Sequence, residues 1–255
     1  MKDLNQLDIK NKKYIIFDMD GTLIDSIGVW NYTDQKLILK YSDAYIDERT
    51  IQSLRDSFLD NNTKGDTYIE YCKYLTKIFD LKCDYNELNR ERGLTATKIL
   101  ATQLIYKNGA VELLYKLKEL GFTLVLATMT TKKQIDTYSY ENPLMSKLIN
   151  LYEVFDYITT IDDVKKKKPN PEIYLNILNH FNANKEECLI FEDSYTGVLA
   201  GKNADIEVIN IYDKFSDLKR KAIESITDYK IDTFDEFIEY LLKNYTKQKT
   251  KRKRI

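Results

Sequence analysis

Short apolar runs recur at 14–17, 123–127, 188–191 and 206–211, and helical patterns fill the chain between them. The stretch 109–120 carries an apolar stripe at helical spacing and stops before Gly121, a favourable C-cap, so it reads as a helix feeding the 123–127 strand. Helix followed by buried strand, repeated, predicts a parallel sheet. Between 27 and 100 the pattern changes to helix after helix with no convincing strand, which predicts an inserted helical subdomain. Its apolar and aromatic positions, among them Trp30, Leu37, Leu54, Phe58, Tyr68, Tyr71, Leu75 and Phe79, are expected to form that subdomain's core.

The polar residues that follow the apolar runs carry the chemistry. Asp18 and Asp20 come directly after Tyr14-Ile15-Ile16-Phe17, Thr128 after the second run, and Glu192 and Asp193 after the third. Ligands of parallel sheets bind beyond the carboxyl ends of the strands, so three strands are expected to converge on one site. Residues at i and i+2 of an extended segment project to the same side, and Gly21 lets the chain turn sharply after Asp20. Two such carboxylates repel unless a proton or cation intervenes. A hard, oxygen-preferring ion such as magnesium would relieve that repulsion, screen an incoming phosphate and leave one carboxylate to attack phosphorus. On these residues alone, a solvated turn after an edge strand remains the alternative.

Composition narrows the classes. The 255 residues hold 39 basic and 40 acidic side chains, a formal net charge of -1, which argues against a whole-protein field for nucleic acid or an anionic membrane. Cys72, Cys83 and Cys188 are widely spaced without a Cys-x-x-Cys pair, as expected of reduced thiols. Residues 1–13 are polar and charged, and no stretch approaches the roughly 20 apolar residues of a membrane span, so a cytoplasmic protein without membrane contact is expected. His180, the single histidine, falls near a predicted helix end and reads as a surface residue, leaving histidine-based catalysis almost nothing to build on. The tail 246–255 ends in Lys251-Arg252-Lys253-Arg254 and reads as a frayed, solubilising terminus.

With three strand ends placed, the chain resembles the haloacid dehalogenase superfamily of aspartate-nucleophile phosphohydrolases. The resemblance rests on Asp18-Met19-Asp20-Gly21-Thr22, Thr128 at a strand end, Lys168-Pro169, and Glu192-Asp193-Ser194 leading to Gly197, spread over 14–212. The insertion after the first motif, introduced by Asp25-Ser26 and Trp30, is similar to the helical cap of the beta-phosphoglucomutase and sugar-phosphate phosphatase subgroup. The resemblance implies an α/β fold with a Rossmann-like parallel sheet built from 1–26 and 101–245 and a helical cap at 27–100. It also implies roles. Asp18 would be the nucleophile and Asp20 the acid and base; Thr128 and Lys168 would hold the phosphoryl group. Asp18, Asp193 and the backbone carbonyl of Asp20 would bind Mg2+, with a direct or water-mediated contact open to Glu192. Lys168 is taken from the run Lys165 to Lys168 because it alone precedes Pro169. Asn108 and the segment Lys202-Asn203-Ala204-Asp205 depart from the family pattern, at a proline and a glycine position respectively.

The leading expectation is a magnesium-dependent phosphatase of a small phosphorylated metabolite, a sugar phosphate fitting best, present as a monomer or weak homodimer. A sugar phosphomutase is the alternative: it would share the chemistry at Asp18 and would hold a second phosphate with a cap cation, for which Arg49, Arg55, Arg90 and Arg92 are candidates. A binding protein with a vestigial site is the third reading.

Overall fold

A computed structural model describes residues 1–61 and 67–245; the basic tail falls outside the described residues. The chain divides into two compact units, one formed by Met1–Asp25 with the chain from Ile105 onward, the other by Ser26–Leu104.

The first unit is built on six parallel strands. In chain order they are β1 (Tyr14–Phe17), β2 (Thr123–Ala127), β3 (Tyr157–Thr159), β4 (Cys188–Glu192), β5 (Glu207–Ile211) and β6 (Tyr229–Ile231). In space the order is β3-β2-β1-β4-β5-β6. β1 therefore lies centrally, with Phe17 in register with Leu126 on one side and with Phe191 on the other. The chain leaves β1 toward one edge through β2 and returns to its other side through β4, so the order reverses at β1, the place where open parallel sheets bind ligands. Ile15, Ile16 and Phe17 are fully buried, and the Phe17 ring stacks on Phe191 with centroids 4.8 Å apart. Helices Ala110–Leu120, Glu172–Phe181, Tyr195–Asn203 and Phe234–Asn244 flank the sheet. Gly121 closes the first of these at φ 90°, in the left-handed region that glycine enters without a Cβ penalty.

β3 and β6 were not foreseen from sequence. Each is a three-residue edge strand, too short to register as an apolar run. His180 lies exposed near the end of its helix, the surface position expected, and its ring stacks on Tyr157 with centroids 4.0 Å apart. The three cysteines carry free thiols.

The second unit consists of helices Ile27–Ser42, Glu48–Asn61, Thr67–Ile78 and Tyr85–Thr102. Its apolar cluster contains Leu37, Ile38, Ile51, Phe58, Tyr71, Cys72, Leu75, Leu81 and Leu88, with Phe79 packed against it. Three expected core positions differ, Leu54 being only half-buried and outside this cluster. Tyr68 is 63% exposed, and Trp30 packs its ring against the Arg92 guanidinium at 4.7 Å. An aromatic at helical spacing marks a face, and the charged partner across that face decides what the ring meets. Among the described residues no helix is long and apolar enough to cross a membrane.

Candidate active site

Asp18 follows β1 directly; its N–H donates to the Phe191 carbonyl at 3.0 Å, extending the ladder one residue beyond the strand. The chain then turns through Met19–Ile24, where Gly21 sits at φ 85° and its N–H donates to Ile24. A Cβ on Gly21 would lie 2.4 Å from Asp193 Oδ2, so glycine is required both by the backbone and by the neighbouring carboxylate. In the helix Tyr195–Asn203 that follows β4, a Cβ on Gly197 would lie 1.9 Å from the Glu192 carboxylate. The two glycines make room for the site's acids.

Three buried carboxylates, Asp18, Glu192 and Asp193, bring oxygens within 4.8 Å of one another. One cation is paired with them. Lys168 Nζ donates to Asp18 Oδ1 at 2.7 Å, to Glu192 Oε2 at 2.8 Å and to the Ala127 carbonyl at 3.1 Å. Lys165, Lys166 and Lys167 are exposed, whereas the Lys168 side chain is only 4% exposed. Burial thus separates the last lysine from its solvated neighbours. Glu192 is further held by the Ser194 N–H and hydroxyl on Oε1, at 3.1 and 2.9 Å. The Thr22 hydroxyl donates to Asp193 Oδ1 at 2.8 Å.

Three carboxylates against one ammonium leave an excess of negative charge out of water. Burial, reinforced by the charge of Glu192 and only partly offset by Lys168, raises the Asp18 carboxyl to about 8. Burial and the charges of Glu192, Asp213 and Asp18 likewise push Asp193 well above the usual carboxylate range. Burial would discharge Lys168, but Asp18 and Glu192 outweigh it and hold the ammonium charged. The donors in this cluster are all carboxylate oxygens, the set that hard divalent cations take, and the charge excess is the quantity such an ion neutralises. The residues present fit magnesium.

Asp20 lies beside this group. Its Oδ2 accepts from the Thr130 hydroxyl and, at 3.5 Å, from Thr128 Oγ1. Thr128 is fully buried and in turn accepts from the Thr130 N–H at 3.0 Å. The structure therefore brings Asp18, Lys168 and Asp193 into one cluster and pairs Asp20 with Thr128. Sequence reasoning did not single out Thr130, although its i+2 offset from Thr128 repeats the spacing that marks Asp18 and Asp20. It also passed over Glu192 as the second partner of Lys168.

A parallel α/β sheet with paired aspartates at the end of its central strand, a buried lysine against the first of them and an acidic turn on the next strand defines a hydrolase-type site for charged substrates. The chain belongs to the haloacid dehalogenase-like hydrolases: the family model matches residues 15–211. It is 30% identical over 198 residues to a phosphorylated carbohydrates phosphatase of Thermotoga maritima, covering 76% of this chain and 82% of that protein. It is 28% identical over 199 residues to a bifunctional riboflavin kinase/FMN phosphatase of Arabidopsis thaliana, covering 77% of this chain and 48% of that protein, so it spans about half of that relative. Among solved structures, a Thermotoga maritima protein provisionally described as a beta-phosphoglucomutase superposes with a TM-score of 0.71 at 24% identity, covering 91% of this chain and 99% of that one; this likeness bears on the fold.

Proposed function

We propose that this chain is a magnesium-dependent phosphatase of a small phosphorylated metabolite, acting through an aspartyl phosphate on Asp18. The observation that carries the reading is the buried cluster of Asp18, Glu192 and Asp193 around Lys168. Asp18 and Asp193, with the backbone carbonyl of Asp20, would hold Mg2+, which when bound screens the charge shared by carboxylate and phosphate. An Asp18 carboxylate oxygen attacks phosphorus, and the bond from phosphorus to the ester oxygen breaks. Asp20 delivers its proton to that leaving oxygen. In the second half, water gives a proton to Asp20 as it attacks phosphorus, the bond to Asp18 breaks, and phosphate leaves with the carboxylate restored.

The surroundings support these roles. Lys168 compensates charge that builds on Asp18 and the transferred group, the electrostatic contribution that usually dominates phosphoryl transfer. Thr128 and Thr130 fix the Asp20 carboxyl through one oxygen. Thr128 would exchange this contact for a phosphoryl oxygen when substrate arrives. The relatives' names, a phosphorylated carbohydrates phosphatase and an FMN phosphatase, favour a phosphomonoester substrate, with a sugar phosphate first among candidates. The free thiols favour a reducing, cytoplasmic setting.

The test is phosphate release from sugar phosphates, nucleotides and an aryl phosphate, with and without magnesium, beside Asp18→Asn. Magnesium-dependent release that falls at least about a thousandfold in Asp18→Asn is expected, the scale of losing a group that acts only in the transition state. Isomerisation of a hexose phosphate without release would favour a mutase, and substantial turnover in folded Asp18→Asn would overturn the covalent route.

A further inference from the structure

Asn210 interrupts the apolar run of β5 and is fully buried. It stands in register with Glu192, the last pair of the β4 to β5 ladder. Beyond that pair the chain turns toward Ser194. The Asn210 amide reaches across to this turn: Nδ2 donates to the Glu192 carbonyl at 3.0 Å and to that of Asp193 at 3.2 Å.

The other end of the amide is fixed as well. Arg220 Nη1 donates to Asn210 Oδ1 at 3.1 Å, and because a guanidinium only donates, this contact sets which way the amide faces. The same guanidinium donates through Nη2 to the Asp213 carbonyl at 2.8 Å and lies over the Tyr212 ring at 4.5 Å. The Asp213 side chain accepts from Lys107 at 2.6 Å, and Lys107 also donates to the carbonyl of Gly21. The Asp193 carboxylate accepts from Thr22 on one oxygen and from Ser216 at 3.4 Å on the other. The backbone of the acidic turn is thus held from β5, and its carboxylate is aimed by separate hydroxyls.

We propose that Asn210 and Arg220 are positioning residues for the metal-binding edge of the site, holding the Glu192-Asp193 turn so that the Asp193 carboxylate stays within reach of Asp18. This rests on the reading of Asp193 as a magnesium ligand. Neither residue is among the proposed metal ligands or catalytic groups. The tight placement required of a divalent site is supplied by an amide that pairs two consecutive carbonyls and by a guanidinium that prevents that amide from flipping.

Magnesium binding by calorimetry on the full chain, paired with melting curves in chelator, tests this directly. Asn210→Asp keeps the shape but puts an acceptor opposite two carbonyls. Arg220→Met removes the orienting donor, and Arg220→Lys returns one. A magnesium dissociation constant weakened about 10- to 100-fold in Asn210→Asp and Arg220→Met, partly restored in Arg220→Lys, is expected for outer partners of a metal ligand. If Asn210→Asp does not fold, Arg220→Met and Arg220→Lys decide. Wild-type affinity in folded variants that merely melt lower would overturn the proposal and leave the phosphatase reading intact. Absence of magnesium binding in wild-type and Asp193→Asn alike would overturn both.

Discussion

Each of the two units buries a cluster of charge, and the clusters differ in how their charges are matched. In the helical unit Asp34 is fully buried, with Arg92 Nε on Oδ1 at 2.6 Å and Arg92 and Arg55 Nη2 groups on Oδ2, both at 3.3 Å. Arg55 also donates to Asn31 Oδ1 at 2.5 Å, and Asn31 Nδ2 donates to Gln52 at 2.9 Å. Arg92 sits over the rings of Trp30 and Tyr71, at 4.7 and 5.3 Å. Burial works to discharge Arg92, and Asp34 outweighs it. Here one carboxylate is satisfied by two guanidinium groups, the weakly hydrated cations best suited to burial. In the sheet unit three carboxylates surround one ammonium, and two of them sit far above their ordinary range. The helical cluster thus carries one positive charge in excess and the sheet cluster two negative ones. The sign separates them: a negative excess held out of water is what a divalent cation would neutralise, and a positive excess is not.

That difference predicts mutations of opposite sign. Asp34→Ala leaves two buried guanidinium groups facing each other and should cost about 3–5 kcal/mol in urea unfolding, the usual effect of removing one partner from a buried pair. A loss under about 1 kcal/mol would break the contrast. Asp193→Asn should do the reverse in chelator at pH 8. It removes a charge the folded state disfavours and should raise the melting temperature by about 2–4 °C, the shift that 1 kcal/mol makes in a chain of this size. Because the Asp18 and Asp193 carboxyls are raised on folding, the metal-free protein loses stability as pH climbs from the unfolded carboxylate range near about 4 through about 8. Magnesium should therefore add more to the melting temperature at pH 8 than at pH 6, and nothing in Asp193→Asn. A pH-independent increment would contradict the account.

How much of this was legible in sequence follows from the physics of each signal. The four central strands announce themselves because they are buried on both faces and read as continuous apolar runs, with their ends marked by Asp18, Thr128 and Glu192-Asp193. β3 and β6 are edge strands of three residues and leave no such run. Lys168 is chemically identical to the three lysines before it; Pro169 after it singled it out in the sequence, and burial against Asp18 distinguishes it in the structure. Asn210 was visible as a polar residue inside an apolar strand, but its meaning depends on the register that sets it beside Glu192. Lys107 and Arg220 gave no signal, since each reaches its partners through loop geometry that a linear pattern does not encode. The departure at Lys202-Asn203-Ala204-Asp205 is absorbed locally: Asp205 takes φ 57°, a left-handed conformation that aspartate tolerates.

The central claim is that the carboxylate-rich cluster around Lys168 makes Asp18 a nucleophile. The most direct measurement is to quench the enzyme in acid during turnover of its best phosphomonoester with magnesium, reduce with borohydride, and locate the resulting homoserine by peptide mass. The account predicts conversion at Asp18 and none at Asp20 or Asp193. Continued phosphate release with Asp18 unmodified, or modification at another residue, would contradict it.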